Sequence, residues 1–470
     1  MSAAVRILLT AVLLAGLAVL TALGATAVGF FDPADAGGLV FFALSSWAVF
    51  ALAVLALRTV HGRAAVVLVL AGSAVLGVAA MAGPPTTSTD SARYAWDGIV
   101  QNAGHSPYDH TPADETYAGL RPDWLYPAPV LDDGGHPRCL PEGDRVSRTL
   151  NIPGFTVLCT TINRPEVPTI YPPAAELYFA GVRAVVPAEA EYWPFQLAGL
   201  LVSLGVTATL LVALRRRGLD PRWAALWGWC PFVLSEAVTN SHVDAVATLL
   251  VLAATLLVAG GRRVLGGVAL GAAIAVKLVP VIAAPALLRR QPVRIVLAAV
   301  ATFALLYVPY VLLSGFGVIG YLPGYLSEEG YDDGSRFALL SLVAPGGASI
   351  VLAALLLLTV AVVVWRRTDP AAPWHGQLVM IGATLLIVTP HYSWYALLLV
   401  PFIVLTGRWE WLAIPLALTV GLLLPQLWIA RTALLIAALV IGASWARRHR
   451  LAVRRGDGGG RVNLSVSWVR

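Results

Sequence analysis

With 470 residues, 58% of them hydrophobic and only 12% charged, against about a quarter charged in ordinary soluble domains, the chain cannot cover itself with polar side chains. Mean hydropathy is +0.77, and apolar runs of about 20 residues, the length that crosses a bilayer, recur along nearly the whole sequence, so the membrane is its solvent. The net charge of +6 comes almost wholly from arginine. Much of that arginine lies at the ends of apolar runs or in the last two dozen residues, which is a topology signal and not a nucleic-acid footprint.

The first apolar run, Ile7 to Phe31, is too long for a signal-peptide core and offers no convincing small-residue cleavage site, so it reads as a span. Arg58 and Arg63 separate the second span (about 38–58) from the third (about 64–83), completing an N-terminal membrane region over 1–83. Arg215, Arg216 and Arg217 close a fourth span at about 191–214. Placing these arginines in the cytoplasm puts residues 84–190 outside. The same choice places Arg262–Arg263, Arg289–Arg290, Arg366–Arg367, Arg408 and Arg447–Arg448 inside. Residues 191–446 then form a membrane bundle. Within it, 264–288 is flanked by arginine pairs yet too short for two crossings, and reads as a re-entrant hairpin breaking near Pro280. An ordinary span with one misplaced arginine pair is the other reading. The expected architecture is an all-α polytopic protein of roughly twelve crossings plus this hairpin, followed by a basic, Gly-rich cytoplasmic tail at 447–470 that lies near anionic lipid.

The segment 84–190 is rich in Pro, Gly, Asp, His and Tyr, and its aromatic content argues for order rather than disorder. A second external loop at 315–336, with "GYLPGYLSEEGYDDGSRF" over 320–337, is acidic and similar in character. Cys139 and Cys159 fall in the large loop and pair if it faces an oxidising compartment; two free thiols are the alternative.

Chemistry concentrates in a few places. "TDSARYAWDGIVQNAGHSPYDH" sets Asp90 and Asp97 seven apart, on one face if this short segment is helical, together with Tyr94. A carboxylate at the membrane boundary is placed to take a proton from an acceptor hydroxyl; the structural alternative is that Asp90 caps a helix. Lys277, the only lysine among 32 Lys and Arg residues, lies inside an apolar run. Ionisable groups at that depth face a cavity or a partner, such as a phosphate or a carboxylate, unless they snorkel. "SEAVTNSHVDAVATLL" clusters Glu236, Asn240, His242 and Asp244 at the predicted outer edge, either for a polar ligand or as a solvated turn. His391 could contact phosphate or shuttle a proton, and Tyr392, Trp394 and Tyr395 could be interface aromatics. Tyr171 precedes Pro172–Pro173, which fix an extended backbone, and Glu176 follows in a structural role. No Walker loop, dinucleotide fingerprint, metal-spaced His/Cys cluster or G-x-S-x-G occurs, so nucleotide-driven pumping and hydride chemistry lack support.

The blocks "DSARYAWDGIVQNAGHSPYDH", "INRPEVPTIYPPAAELYFAG", "NSHVDAVATLLVLAA", "LGAAIAVKLVPVIAAPALL" and "HYSWYALLLVPF", spread over about 88 to 405, resemble the GT-C superfamily. More narrowly, they are similar to bacterial polyprenyl-phosphate-mannose-dependent mannosyltransferases of glycosyltransferase family 87. The resemblance implies an inverting transfer on the extracytoplasmic face of the plasma membrane from a polyprenyl-phosphate sugar. That donor is a substrate; neither cofactor nor metal is implied. Asp90 takes the place of the base, with Asp97 second. Lys277, His391, Arg93 and Tyr171 fall to the donor phosphate and lipid, and Tyr94, Trp96, His242, Asp244 and Tyr392 to the sugar substrates. Expected partners are membrane lipids, the donor and a glycolipid or glycan acceptor, with no nucleic acid. The stretch 121–150, with Cys139, departs from the family pattern and bears on the acceptor. Dense arginine with one lysine points to a GC-rich genome, hence an actinobacterium and cell-envelope glycans. The competing readings are a secondary transporter, which the missing internal repeat and the long loop disfavour, and a noncatalytic lipid-binding scaffold.

Overall fold

The structure is a computed structural model and describes residues 2–27, 36–139, 148–152 and 155–454. The end of the first apolar run at Phe31 and the Gly-rich tail from 455 onward lie outside the described residues.

Helices α1 (Ala3–Thr26), α2 (Ala36–Leu57) and α3 (Gly62–Ala79) are apolar on every side. Such helices are stable only where lipid or protein covers them, because an apolar medium offers backbone groups no partner outside the helix. The short helices α4 (Asp90–Asn102) and α5 (Pro173–Arg183) are instead amphipathic and belong to the polar segment between α3 and α6 (Trp193–Arg216). The chain continues through α7 (Asp244–Ala259), α8 (Arg263–Val276), α9 (Pro292–Ser314), α10 (Gly347–Arg367), α11 (Trp374–Val388), α12 (Ala413–Leu423) and α13 (Leu427–Arg454).

This is an all-α polytopic membrane protein. Among the described residues seven helices are long and apolar enough to cross alone, and a further pair, Pro231–Thr239 with α7, does so only as a unit bent by 114°. Four more apolar helical stretches, Arg263–Val276, Trp374–Val388, Ser393–Thr406 and Trp409–Leu423, reach only about 21–23 Å at 1.5 Å per residue, short of the roughly 30 Å of hydrocarbon. Run length in the sequence cannot distinguish these half-length pieces from full crossings. In the stretch expected to form a hairpin, α8 ends at Val276, the backbone at Lys277 is extended (φ −157°, ψ 141°), and short helical turns resume at Val279–Ala283 and Ala284–Leu287. The break therefore falls three residues before Pro280.

Of the arginines predicted to share a side, Arg58, Arg217 and Arg289 lie at one end, with Arg6 and Arg222 beside Arg58. Arg6 donates to the Thr59 carbonyl and Arg222 to those of Arg58 and Val60. Arg58 lies over Trp223, Arg217 over Trp374, and Arg289 donates to the Thr368 carbonyl. Asp244 and Lys277 lie at the other ends of α7 and α8, and Asp90 opens α4, which follows the other end of α3.

At that opposite end, α4 and α5 form a lid of aromatic side chains. Tyr94 stacks on Phe179 with ring centroids 4.3 Å apart and meets Tyr171 edge-on at 5.1 Å. The helices approach so closely at Gly98 that a Cβ there would lie 2.6 Å from the Phe179 carbonyl oxygen. Two small antiparallel hairpins complete the segment, Val130–Leu131 with Pro137–Arg138 and Arg148–Ile152 with Phe155–Thr160. Cys139 and Cys159 are joined in a disulfide that ties one hairpin to the other.

Candidate active site

Asp90 is the first residue of α4, where the helix dipole favours a negative charge. Its backbone N–H is capped by the Ser88 hydroxyl (3.2 Å), which leaves its own carboxylate free to turn outward. One oxygen accepts from Asn163 Nδ2 (3.0 Å), and the other lies 3.5 Å from His242 Nδ1. Burial acts to raise this carboxyl, but His242, Lys277 and Asn163 outweigh it and hold it down to about 2. Asp90 is thus a permanent carboxylate at any working pH.

It stands on the wall of a cavity of about 770 Å³ built from both loops and the bundle. Among the described residues Asp90 is the sole carboxylate on that wall, whereas Arg93, Arg164, Lys277 and Arg336 all line it. Each cation is backed by an acid outside the lining. Arg93 grips Asp97 with Nε 2.8 and 3.0 Å from the two oxygens, and Lys277 donates to Asp244 (2.6 Å). Arg164 pairs with Glu328, and Arg336 with Glu329. Two guanidinium nitrogens, Arg93 Nη2 and Arg336 Nε, are buried with no hydrogen-bond partner. Farther in, the wall turns apolar through Leu278, Ile282, Leu357, Leu385 and Val388. A chamber with a cationic mouth and a greasy interior accepts an anionic headgroup on a hydrocarbon chain.

Several backbone strains converge here. Of the four described non-glycine residues with positive φ, Arg164 (52°) lines the cavity, Ser241 (57°) precedes His242, and Thr389 (49°) lies two residues before His391. Strain of this sort persists only where surrounding contacts over-determine it. For Thr389 those contacts are visible, since its hydroxyl donates to the Arg336 carbonyl and accepts from Ala338 N–H, both at 2.8 Å. The loop bearing Arg336 is pinned to the segment bearing His391 in this way. His391 Nδ1 is 2.8 Å from Arg336 Nη1, but its ring is 60% exposed and lies outside the cavity lining.

The residues singled out in the sequence separate into three groups. Asp90, Arg93, Tyr171, Lys277 and Tyr392 reach the cavity. His242 and Asp244 stand immediately behind it, touching Asp90 and Lys277. Asp97, Tyr94 and Trp96 do not reach it. Asp97 lies beneath α5 beside Glu176, Tyr94 is enclosed by Phe179 and Phe195, and Trp96 packs on Tyr126. Burial drives both Asp97 and Glu176 above the usual carboxylate range, the two sharing one guanidinium, Arg93. Asn240 acts locally, because its side-chain oxygen accepts from the N–H groups of Thr86 and Thr87 (3.0 and 3.1 Å) and so fixes the approach to Asp90.

Sequence reasoning passed over Arg164, Arg336 and Asn163. A signal for the two arginines existed, because they interrupt the segments assigned to the outer side, where arginine has no topological purpose. Among the described residues no group of three or more His, Cys, Asp or Glu is arranged to hold a metal ion.

Comparison with known families bears on the same region. Residues 169–390 match the family described as Glycosyltransferase family 87. The matched stretch runs from Thr169, which hydrogen-bonds Glu176, to Pro390 on the cavity wall. No curated protein matches the chain.

Proposed function

The match to glycosyltransferase family 87 supports membership of that family and a glycosyltransferase activity, and from that premise we propose a specific reaction. The protein transfers a hexose, mannose in our reading, from a polyprenyl phosphate to a glycolipid or glycan acceptor of the cell envelope, on the outer face of the plasma membrane. The observation that carries this reading is Asp90, among the described residues the one carboxylate facing a cavity whose wall also holds four cations, several tyrosines and a run of aliphatic side chains.

The chemistry follows from that arrangement. The polyprenyl chain occupies the apolar interior, and its phosphate sits against Arg336, Arg164 and Lys277. The bond from the anomeric carbon to the phosphate oxygen breaks, its electron pair staying on the phosphate, where the cations stabilise the charge that develops. The acceptor oxygen bonds to the anomeric carbon from the opposite face as Asp90 takes its proton. A carboxyl held near 2 is a weak base, but in an oxocarbenium-like transition state the hydroxyl becomes strongly acidic only as the new bond forms. A late, permanently charged acceptor of the proton suits that sequence, and its negative charge also favours the cationic sugar ring. The arginine-rich end faces the cytoplasm by the positive-inside rule, which turns Asp90 outward. A secondary transporter fits less well, since such proteins bind near the bilayer midplane and the charged groups here gather at one end.

The test is to incubate purified protein with polyprenyl-phosphate mannose, other lipid-linked hexoses and nucleotide sugars, each with envelope glycolipid acceptors, and to identify products by mass spectrometry. Mannosylated lipid from the polyprenyl-phosphate donor alone is expected. Product from a nucleotide sugar, or none from any lipid-linked hexose, ends the proposal. In parallel, an Asp123→Cys chain lacking Cys230 is expected to react with an impermeant thiol reagent in intact cells.

A further inference from the structure

His242 is entirely enclosed, and the two nitrogens of its ring meet two different acids. Nδ1 lies 3.5 Å from Asp90 Oδ2, and Nε2 lies 3.3 Å from Glu236 Oε2. The imidazole is clamped flat, stacked on Trp394 at 3.8 Å, and Trp394 stacks in turn on Tyr392 at 4.6 Å. The ring itself separates the two carboxylates, so they address opposite nitrogens. Neither nitrogen, nor Glu236 Oε2, makes a hydrogen bond at normal geometry, although all three atoms are buried. A buried acid facing an imidazole edge in this way is stable only if the ring carries a proton toward it.

Glu236 is reached from behind as well. It lines a second cavity of about 100 Å³, among the hydroxyl-bearing side chains of Ser235, Thr239, Thr86 and Thr87. Asp90 borders only the larger cavity and Glu236 only the smaller, and His242, which meets both acids, lies between them. The local backbone serves this placement. Leu234–Thr239 is a π-helical turn, and Ser241 has positive φ. Together they bring the Glu236 carboxylate to the Nε2 edge of the His242 ring.

We propose that Glu236 is a positioning residue: it holds His242 as an imidazolium, and His242 in turn orients Asp90 and keeps it ionised for proton abstraction. The chain Glu236–His242–Asp90 carries no net transfer of its own; the acceptor proton ends on Asp90. The charged groups facing His242 are Asp90 from α4 and Glu236 from its own bent segment, while Trp394 covers its face; Lys277, paired with Asp244, lies beyond Asp90. This inference rests on the reading of Asp90 as the base, and its test is chosen to fail separately.

Two measurements on the full chain in lipid bilayers decide it. The first is steady-state transfer from radiolabelled polyprenyl-phosphate mannose by Glu236→Gln, which keeps the size and removes the charge. We expect kcat to fall about ten- to a hundredfold, the range typical of losing a group that orients another. KM for the donor should hold, because Glu236 does not touch the donor cavity. The alkaline limb of the pH–rate profile should move to lower pH, and Glu236→Asp should restore part of the rate. A purely structural role for Glu236 would lower accumulation and leave the profile in place. The second is imidazole nitrogen NMR of histidine-labelled protein, with the His242 signal assigned by its loss in His242→Gln. A charged ring at neutral pH that becomes neutral in Glu236→Gln supports the inference. A neutral ring in the unaltered protein, or wild-type kcat and pH profile in Glu236→Gln, overturns it. If the ring behaves as described while no lipid-linked sugar is transferred, the charge arrangement stands and the transferase reading falls.

Discussion

Asp90 and Asp97 occupy one stripe of one short helix, yet they have opposite electrostatic fates. Asp90, at the helix start, faces an imidazole, a lysine and an amide, and is held down to about 2 despite its burial. Asp97, two turns later, is enclosed under α5, where Glu176 competes with it for Arg93 and burial drives both acids up. Residue type is the same; the number of positive partners per carboxylate is not. A buried acid becomes a permanent charge where cations outnumber it, and a proton store where acids outnumber cations.

The largest test of this contrast exchanges each aspartate for its neutral isostere. Asp90→Asn should reduce sugar transfer by a factor of about a hundred to ten thousand, the range for losing a general base, while the protein accumulates normally. Asp97→Asn should do the reverse, retaining most activity per folded molecule and lowering the yield of folded protein. Membranes carrying equal amounts of each variant, assayed with the same lipid-linked donor, separate the two. Equal loss of transfer in both would show that the stripe works as one unit and would collapse the distinction.

A smaller effect is expected from Arg93→Gln, which strips Asp97 of its bidentate partner and leaves two acids facing each other. Breaking a buried pair from one side costs about 3–5 kcal/mol. The pair here is only 6% and 2% exposed, so little solvent screening discounts that range. Thermal unfolding in detergent should therefore shift down by several degrees. Because Arg93 also lines the cavity and its buried Nη2 has no hydrogen-bond partner, donor KM should rise as well. A change in KM without loss of stability would place Arg93 with the ligand alone.

How much of this was legible beforehand depends on the distance over which each feature is determined. The apolar runs, the polar segment 84–190 and the short helix starting at Asp90 are local, and periodicity or composition reveals them. That Asp90 and Asp97 lie on one face was also legible, since seven residues nearly complete two turns. What periodicity does not reveal is that two turns span about 10 Å, enough for one end of the stripe to reach a cavity and the other to lie under a different helix. The cluster Glu236, Asn240, His242 and Asp244 was visible as a cluster. Its division of labour was not, because the π-helical turn and the strained Ser241 send the four side chains to four destinations: a second cavity, the Thr86–Thr87 backbone, Asp90 and Lys277. Lys277 was conspicuous as a lone lysine, but its acidic partner stands 33 residues away in sequence.

The finest test concerns the proton that Asp97 and Glu176 share. Glu176 accepts from Thr169 Oγ1 (2.7 Å) and from Gln101 Nε2 (2.9 Å), and Gln101 accepts in turn from the Tyr310 hydroxyl (2.6 Å). Burial together with Asp97 raises its carboxyl well above the ordinary range. The folded protein therefore keeps a proton that the unfolded chain releases above about 4.3. The sign follows: the folded state binds more protons, so stability is greatest below that value and declines as pH climbs toward the raised folded value. Glu176→Gln replaces the protonated acid by an amide of the same shape that still accepts from Thr169 or Gln101. It should leave transfer within about twofold of normal, cost less than about 1 kcal/mol at neutral pH, and flatten the decline of thermal stability between mildly acidic and neutral pH. A variant that still loses stability with the original slope would assign the proton to Asp97 instead, and would mean that Arg93, despite its two hydrogen bonds, does not keep that aspartate charged.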